Sequence, residues 1–133
     1  MTRTLRVAAA ILLFTPIPTS GHHAFAAEYD ANKLVTVSGA VSKFEWINPH
    51  ALLYVDGNDA EGKRESWMFE MGSPGGLERR GWKRTDLKNG DQITVDGYAA
   101  KDGRNVANVR MVTLADGRKL FGGFQSTPGN PYK

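Results

Sequence analysis

The sequence of 133 residues contains no cysteine and only three histidines. Without cysteine the chain can form neither disulfides nor thiolate metal sites, and no residue is available for a lipoprotein anchor. Its longest apolar run covers 7–14, which is far short of the roughly 20 residues that a membrane-spanning helix needs. The sequence also lacks the G-x-S-x-G and H-E-x-x-H motifs, and no other catalytic signature stands out, so it does not predict an enzyme.

The first 21 residues have the three-part layout of a secretory signal peptide. Two arginines and no acidic residue precede the apolar run. A polar, proline-bearing stretch that ends in small residues follows it at 15–21. We therefore expect 1–21 to be removed on export to the periplasm or exterior of a bacterium, with no membrane segment left afterwards. Removal of the two arginines lowers the net charge from +3 to +1, so the chain's basic character gives little support for a nucleic-acid partner.

Alternating apolar residues predict five β-strands in the remaining chain. The first begins at 34–41 with Val35, Val37 and Val41 on one face, and the alternation then slips by one residue before Phe44. A slip of this kind indicates a β-bulge in a long, bent strand. The other strands are predicted at 51–55, 65–71, 92–99 and 105–114, and a short additional strand at 120–121.

A short helix is predicted between the third and fourth strands. Ser73 is a preferred N-cap and Pro74 a preferred first helical residue, so the helix would run over 74–80. Five strands with a helix in this position predict an all-β fold, a small five-stranded OB-like antiparallel barrel. An open antiparallel meander with the helix on one side is the alternative. The predicted organisation is a signal peptide at 1–21, an extended N-terminal arm at 22–33, the barrel domain at 34–121 and a flexible C-terminal tail at 122–133.

Two of the three histidines stand side by side just beyond the predicted signal peptide. Cleavage after Gly21 would make His22 the first residue, so that its amine and imidazole could chelate one metal ion, with the imidazole of His50 as a third ligand. Nitrogen ligands of this kind suit copper. Cleavage one residue earlier would leave G-H-H, in which His23 could complete a square-planar Cu(II) or Ni(II) site with the amine and two backbone amides. A third cut, after the A-x-A pattern at 24–26, would discard both histidines.

The predicted function is therefore carriage or buffering of copper by a periplasmic protein, with His22, His23 and His50 as candidate ligands. The alternative is a metal-free binding module for a small molecule, an envelope glycan or a protein partner. A copper oxidase acting on a polymer is a third alternative, but nothing in the sequence resembles a platform for such a substrate. The residues proposed for the binding surface of this module are Trp46, Asn48, Tyr54, Trp67 and Met68.

A basic cluster surrounds the predicted helix, but acidic residues are interleaved with it. We interpret this cluster as a solvated surface, with contact to an anion or a polysaccharide as the alternative. Its members are Arg79, Arg80, Lys83, Arg84 and Lys88.

A series of short motifs resembles a family of uncharacterised exported bacterial proteins, a domain of unknown function. Members typically carry an export signal, a mature start close to H-H-S-F, and a W-x-N-P-H motif. The resemblance implies export, one small β-domain and His22, His23 and His50 as the matching positions, and it implies no activity. Ala24 stands where a serine is usual. The motifs are HHAFAAEYD at 22–30, VTVSG at 35–39, EWINPHA at 45–51, FEMGSP at 69–74, RRGW at 79–82 and DGRKLF at 116–121.

Overall fold

The structure is a computed structural model that describes residues 21–132, with the backbone alone for 21–24. The predicted signal peptide therefore lies outside the described residues, apart from Gly21. Within the described part, no helix is both long enough and apolar enough to cross a membrane. The elements in this part are α1 Gly21–Glu28, β1 Tyr29–Glu45, β2 Leu52–Asn58, β3 Arg64–Glu70, α2 Pro74–Glu78, β4 Gln92–Ala100, β5 Val106–Thr113 and β6 Lys119–Phe121.

Strands β1 to β5 form a closed ring. β1 pairs antiparallel with β2 and β4, β2 with β3, and β4 with β5, and a parallel pairing of β3 with β5 closes the ring. The short β6 adds to β5 outside this circuit. The all-β class and the five-stranded OB-like arrangement, with a helix between β3 and β4, are thus confirmed. The open meander is wrong, because the β3–β5 pairing joins the two sides of the sheet.

The first strand is long and pairs with two neighbours, β2 and β4. β1 has 17 residues, and its register with β2 shifts between Val41 and Lys43, which confirms the predicted bulge. Gly39 lies opposite Gly57, and a Cβ at Gly39 would come within 2.2 Å of the Asp56 carbonyl oxygen. The two backbones can approach this closely only because neither residue carries a side chain.

Apolar side chains fill the interior of the ring. Alternate residues of the strands point inward, as their sequence pattern predicts. Ser73 caps α2 as predicted, since its hydroxyl oxygen accepts a hydrogen bond from the Gly76 N–H at 3.2 Å. The helix ends at Glu78, two residues before the predicted end. The largest fully buried side chains include Val37, Val41, Leu53, Val55, Phe69, Met71, Leu77, Val95, Val109 and Val112.

The N-terminal segment 22–33 differs from the extended arm that the sequence predicts. Its residues are helical as far as Glu28 and then belong to β1. The reason is an aromatic cluster at this end of the ring, in which Phe25 and Tyr29 are both buried. Phe25 contacts Tyr29 with ring centroids 5.7 Å apart and meets Tyr98 edge-on at 5.6 Å. Burial of these rings compensates for fixing the segment in one conformation.

The C-terminal segment also differs from its prediction, because 122–132 packs on the ring instead of forming a loose tail. Phe124 and Asn130 are buried, and Thr127 is fully buried. The Thr127 hydroxyl donates a hydrogen bond of 2.6 Å to the side-chain oxygen of Asn108, a fully buried residue of β5. The glycines and small polar residues of this segment allow this close packing on β5.

Candidate functional site

The loop between β1 and β2 holds His50 against the end of β3. The Asn48–Pro49 peptide bond is cis. Ala51 is buried, donates its N–H to the Gly72 carbonyl at 3.1 Å, and accepts the N–H of Met71 at 2.9 Å. These two backbone bonds fix the residue next to His50, so the imidazole stands beside the last residue of β3.

That last residue, Glu70, connects His50 to Tyr29. One carboxylate oxygen of Glu70 bonds the Nδ1 atom of His50, and the other accepts a hydrogen bond from the Tyr29 hydroxyl. The His50 and Glu70 side chains are 35% and 19% exposed, so the pair is reachable from solvent. A neutral imidazole that donates Nδ1–H to a carboxylate keeps the lone pair of Nε2 for another ligand. Among residues 25–132, no hydrogen-bond partner occupies Nε2.

Tyr29 donates its hydroxyl hydrogen to the Glu70 carboxylate. Burial, the hydrogen bond to Glu70 and the charge of Glu70 together raise the pKa of Tyr29 above its ordinary value. The phenol therefore stays protonated at neutral pH and continues to donate to Glu70. Glu70 is in this way held from one side while it orients His50 on the other.

Aromatic stacking fixes the plane of the His50 ring. The imidazole stacks on Phe124 with centroids 4.3 Å apart and an interplanar angle of 23°. Phe124 in turn meets Tyr29 edge-on at 6.2 Å, and Tyr29 contacts Phe25 of α1. His50 therefore lies at the same end of the ring as α1.

The other two predicted ligands precede this cluster in the chain. The backbone of His22 lies in α1, three residues and about 4.5 Å along the helix axis before Phe25. The side chains of His22 and His23 lie outside the described part. Among residues 25–132, no three His, Asp or Glu side chains form a group that could hold a metal ion. A metal at His50 would therefore need further ligands from elsewhere, and the remaining histidines stand at 22 and 23.

A cleft of about 430 Å³ opens beside His50. Two arginines contribute to its wall, and no carboxylate side chain of residues 25–132 does so. Arg80 donates from Nη1 to the Gly123 carbonyl at 2.7 Å, and its guanidinium carbon lies 5.3 Å from the ring centroid of Phe121 and 5.9 Å from that of Tyr132. The lining residues are His50, Gly72, Ser73, Gly76, Arg79, Arg80, Phe124, Gln125, Ser126 and Tyr132.

The chain matches one known protein family over a range that contains most of the residues described above. The sequence model of a family of unknown function (DUF6152) matches residues 10–109. The chain belongs to this DUF6152 family. The matched range contains the three histidines, Glu70 and both arginines of the cleft, whereas the DGRKLF motif and the C-terminal segment lie beyond it. No curated protein and no solved structure is significantly similar to this chain.

The residues predicted for a binding surface differ in their exposure in this DUF6152 protein. Trp67 is only 8% exposed and belongs to the core, because it shares the inward face of β3 with Phe69. Trp46 is half-buried and packs edge-on against Phe44. The Tyr54 hydroxyl donates to Glu45 at 3.2 Å. Met68 is half-buried, Asn48 is exposed, and none of the five lines the cleft.

Sequence reasoning found His50 but missed the residues around it in this DUF6152 protein. The sequence gives Glu70 no role, and its charge pattern predicts a solvated surface for Arg79 and Arg80. The predicted hairpin gives only an approximate signal for Glu70: symmetric pairing of the predicted strands 51–55 and 65–71 would place Leu52 opposite Met68, whereas in the structure Leu52 pairs with Glu70. His50 then falls two residues from that pair. Phe124 had no such signal, because it lies in a segment without strand or helix periodicity.

Proposed function

We propose that this protein is exported, cleaved after Gly21, and binds one copper ion between its new N-terminus and His50, so as to carry or buffer copper in the periplasm. His22 would supply its amine and imidazole, and His50 would supply Nε2. His23 is an alternative ligand. The observation that carries the proposal is the Glu70–His50 pair, held beside an open cleft at the same end of the ring as α1.

The pairing of His50 with Glu70 is the support that metal-binding histidines usually have. Such a histidine almost always donates its second ring N–H to a carboxylate, a carbonyl or a water, which fixes the tautomer and the ring orientation and makes the other nitrogen more basic. Here Glu70 bonds Nδ1 and Phe124 stacks on the ring. A histidine that merely terminates a turn in solvent requires neither contact.

The position of α1 also supports coordination of one copper ion by both His22 and His50. Phe25 is buried against Tyr29, and Tyr29 shares the Glu70 carboxylate with His50. The N-terminus created by cleavage after Gly21 would stand three residues before Phe25. No long arm is then needed to bring the amine of His22 towards His50.

The proposal depends on proteolysis, because the amine ligand does not exist in the uncut chain. Intact-mass measurement of the secreted protein identifies the first residue. A chain that begins at His22 is expected. A chain that begins at Gly21 would favour the square-planar site with His23, which does not need His50.

Copper titration of the chain that begins at His22 tests the site itself. We expect His50→Ala to weaken Cu(II) binding by at least about tenfold, since it removes a ligand whose supporting residues alone are worth 10- to 100-fold. Asn48→Ala, in the same loop and exposed, is the matched control and should leave the affinity unchanged. Tight binding that survives both His22→Ala and His50→Ala, or a secreted chain that begins at Ala27, would overturn the proposal.

The cleft is a specific observation in favour of the second candidate function, a metal-free binding module. Its volume falls within the range of about 300–1,000 Å³ that is usual for small-molecule sites. In this function the ligand would occupy the cleft instead of the face that contains Trp46 and Tyr54. His50 would then contact the ligand, and the copper titration would show no dependence on it.

A further inference from the structure

We propose that the cleft beside His50 is a binding site for a small organic anion, a carboxylate or a phosphate ester, whose charged group is held by Arg79 and Arg80. The proposal supplies the ligand class for the second candidate function and does not require copper. It assigns a binding role to two residues that the sequence pattern places in a solvated cluster.

The wall of the cleft carries positive charge. Arg79 and Arg80 both line the cleft, and no carboxylate of the described chain forms an ion pair with either of them. Two other arginines of the described chain have acidic partners: Arg104 pairs with Asp102, and Arg118 pairs with Asp86 and Asp116. Two guanidinium groups on one cavity wall without an acid leave positive charge that a bound anion would neutralise.

Arg80 is held in one orientation by its neighbours. Its Nη1 atom is committed to the Gly123 carbonyl, and its planar group lies over the rings of Phe121 and Tyr132. Burial and the neighbouring charge of Arg79 lower the pKa of Arg80 below its ordinary value, although the group stays charged at neutral pH. Holding a half-buried guanidinium in one place before a ligand arrives reduces the entropic cost of binding.

The backbone beside Arg80 also leaves room for its guanidinium group, because position 72 is a glycine. A Cβ at Gly72 would come within 3.3 Å of Arg80 Nη1, and within 3.0 Å of the Gly123 carbonyl that Arg80 bonds. A side chain at this position would therefore crowd the guanidinium group on the cleft wall.

The remaining wall determines what the anion is attached to. Phe124 and Tyr132 face the cleft beside the arginines, so an apolar or aromatic body fits next to the charged group. An inorganic anion would leave this part of the cleft unused. The ligand is therefore expected to be an organic acid or ester of a size suited to a cavity of about 430 Å³.

Calorimetric titration of the metal-free chain that begins at His22 tests the proposal with three related probes. Benzoate presents a carboxylate, phenyl phosphate presents a phosphate, and benzamide has the shape of benzoate without its charge. We expect saturable binding of at least one of the two anions, at least about tenfold tighter than benzamide. The preferred anion identifies which of the two charged groups the site takes.

Substitutions distinguish the cleft from general attraction to a basic surface. Arg79→Gln and Arg80→Gln should each weaken binding of the preferred anion by about tenfold or more. Arg84→Gln, which replaces an exposed arginine outside the cleft, is the matched control and should have no effect.

The proposal is overturned if neither anion binds saturably, if benzamide binds as well as the anions, or if Arg84→Gln has the same effect as the other two. Because Arg79 is exposed, its variant remains informative should Arg80→Gln impair folding. Neither substitution removes His22, His50 or Glu70, so this experiment can fail while the copper proposal stands, and the reverse.

Discussion

Glu70 lies between a histidine that it orients and a tyrosine that holds it. Both of its carboxylate oxygens are occupied, one by His50 Nδ1 and one by the Tyr29 hydroxyl. Its backbone carbonyl also accepts a hydrogen bond of 3.3 Å from the Asn108 side chain. A glutamate held at its backbone and at a carboxylate oxygen can keep the imidazole in one orientation, which a metal ligand requires.

Replacement of Glu70 by glutamine tests this role. The neutral amide keeps the shape of the side chain but removes the charge that favours the His50 Nδ1–H tautomer. We expect the Cu(II) affinity of the chain beginning at His22 to fall by about 10- to 100-fold, measured by competition titration. Glu65→Gln, on the same strand but away from His50, is the control and should leave the affinity unchanged. An equal effect of the two substitutions would mean that Glu70 acts only through stability or overall charge.

The raised pKa of Tyr29 predicts a specific dependence of stability on pH. Because the folded protein holds the phenolic proton more tightly than the unfolded chain does, the contribution of Tyr29 is fully present below the ordinary tyrosine pKa of about 10. It is lost as the pH rises from there through the raised pKa. The difference in unfolding free energy between the native protein and Tyr29→Phe should therefore be constant near neutral pH and shrink in strong alkali. A difference that already shrinks below the ordinary tyrosine range would contradict this account.

At the scale of whole elements, the C-terminal segment forms part of the site although it has no regular secondary structure. Phe124 supplies the surface on which His50 stacks, and the Gly123 carbonyl anchors Arg80. The Thr127–Asn108 hydrogen bond ties the segment to β5. Ordering of this segment is therefore coupled to the geometry of both the histidine and the cleft.

Thr127→Val tests that attachment while preserving the shape of the side chain. The buried Asn108 oxygen would lose its donor, and an unsatisfied buried group of this kind costs about 1–3 kcal/mol. Urea unfolding should show a loss of that size. Thr85→Val, at an exposed position, should change the unfolding free energy by no more than about 0.5 kcal/mol. Equal stability of the two variants would show that the hydrogen bond does not hold the segment.

The elements that the sequence predicts well are those with a local periodic signal. The strands, the bulge after Val41 and the Ser73 cap all follow from residue alternation or from capping preference. The helical form of α1 and the packing of 122–132 depend instead on aromatic and polar contacts with distant residues, such as Phe25 with Tyr98 and Thr127 with Asn108. Such contacts leave no local pattern, so composition wrongly predicts an extended arm and a loose tail.

At the scale of the whole molecule, closure of the ring brings three separate parts of the chain to one end. The start of β1 carries Tyr29, the β1–β2 loop carries His50, and the end of β3 carries Glu70. From the sequence, the three histidines could be proposed as metal ligands by their chemistry, and His22 and His23 also by their position near the predicted cleavage site. The partners of His50 could not be identified in the same way, because they become neighbours only when the strands pair.

The proposed copper site requires that His22, as a new N-terminus, and His50 bind the same ion. Pulsed electron paramagnetic resonance of the Cu(II)-loaded chain that begins at His22 detects the remote nitrogen of each coordinated imidazole and so counts the histidines on the metal. We expect two coordinated imidazoles in the native chain and one in His50→Ala. A count that is the same in both proteins would contradict the proposed site.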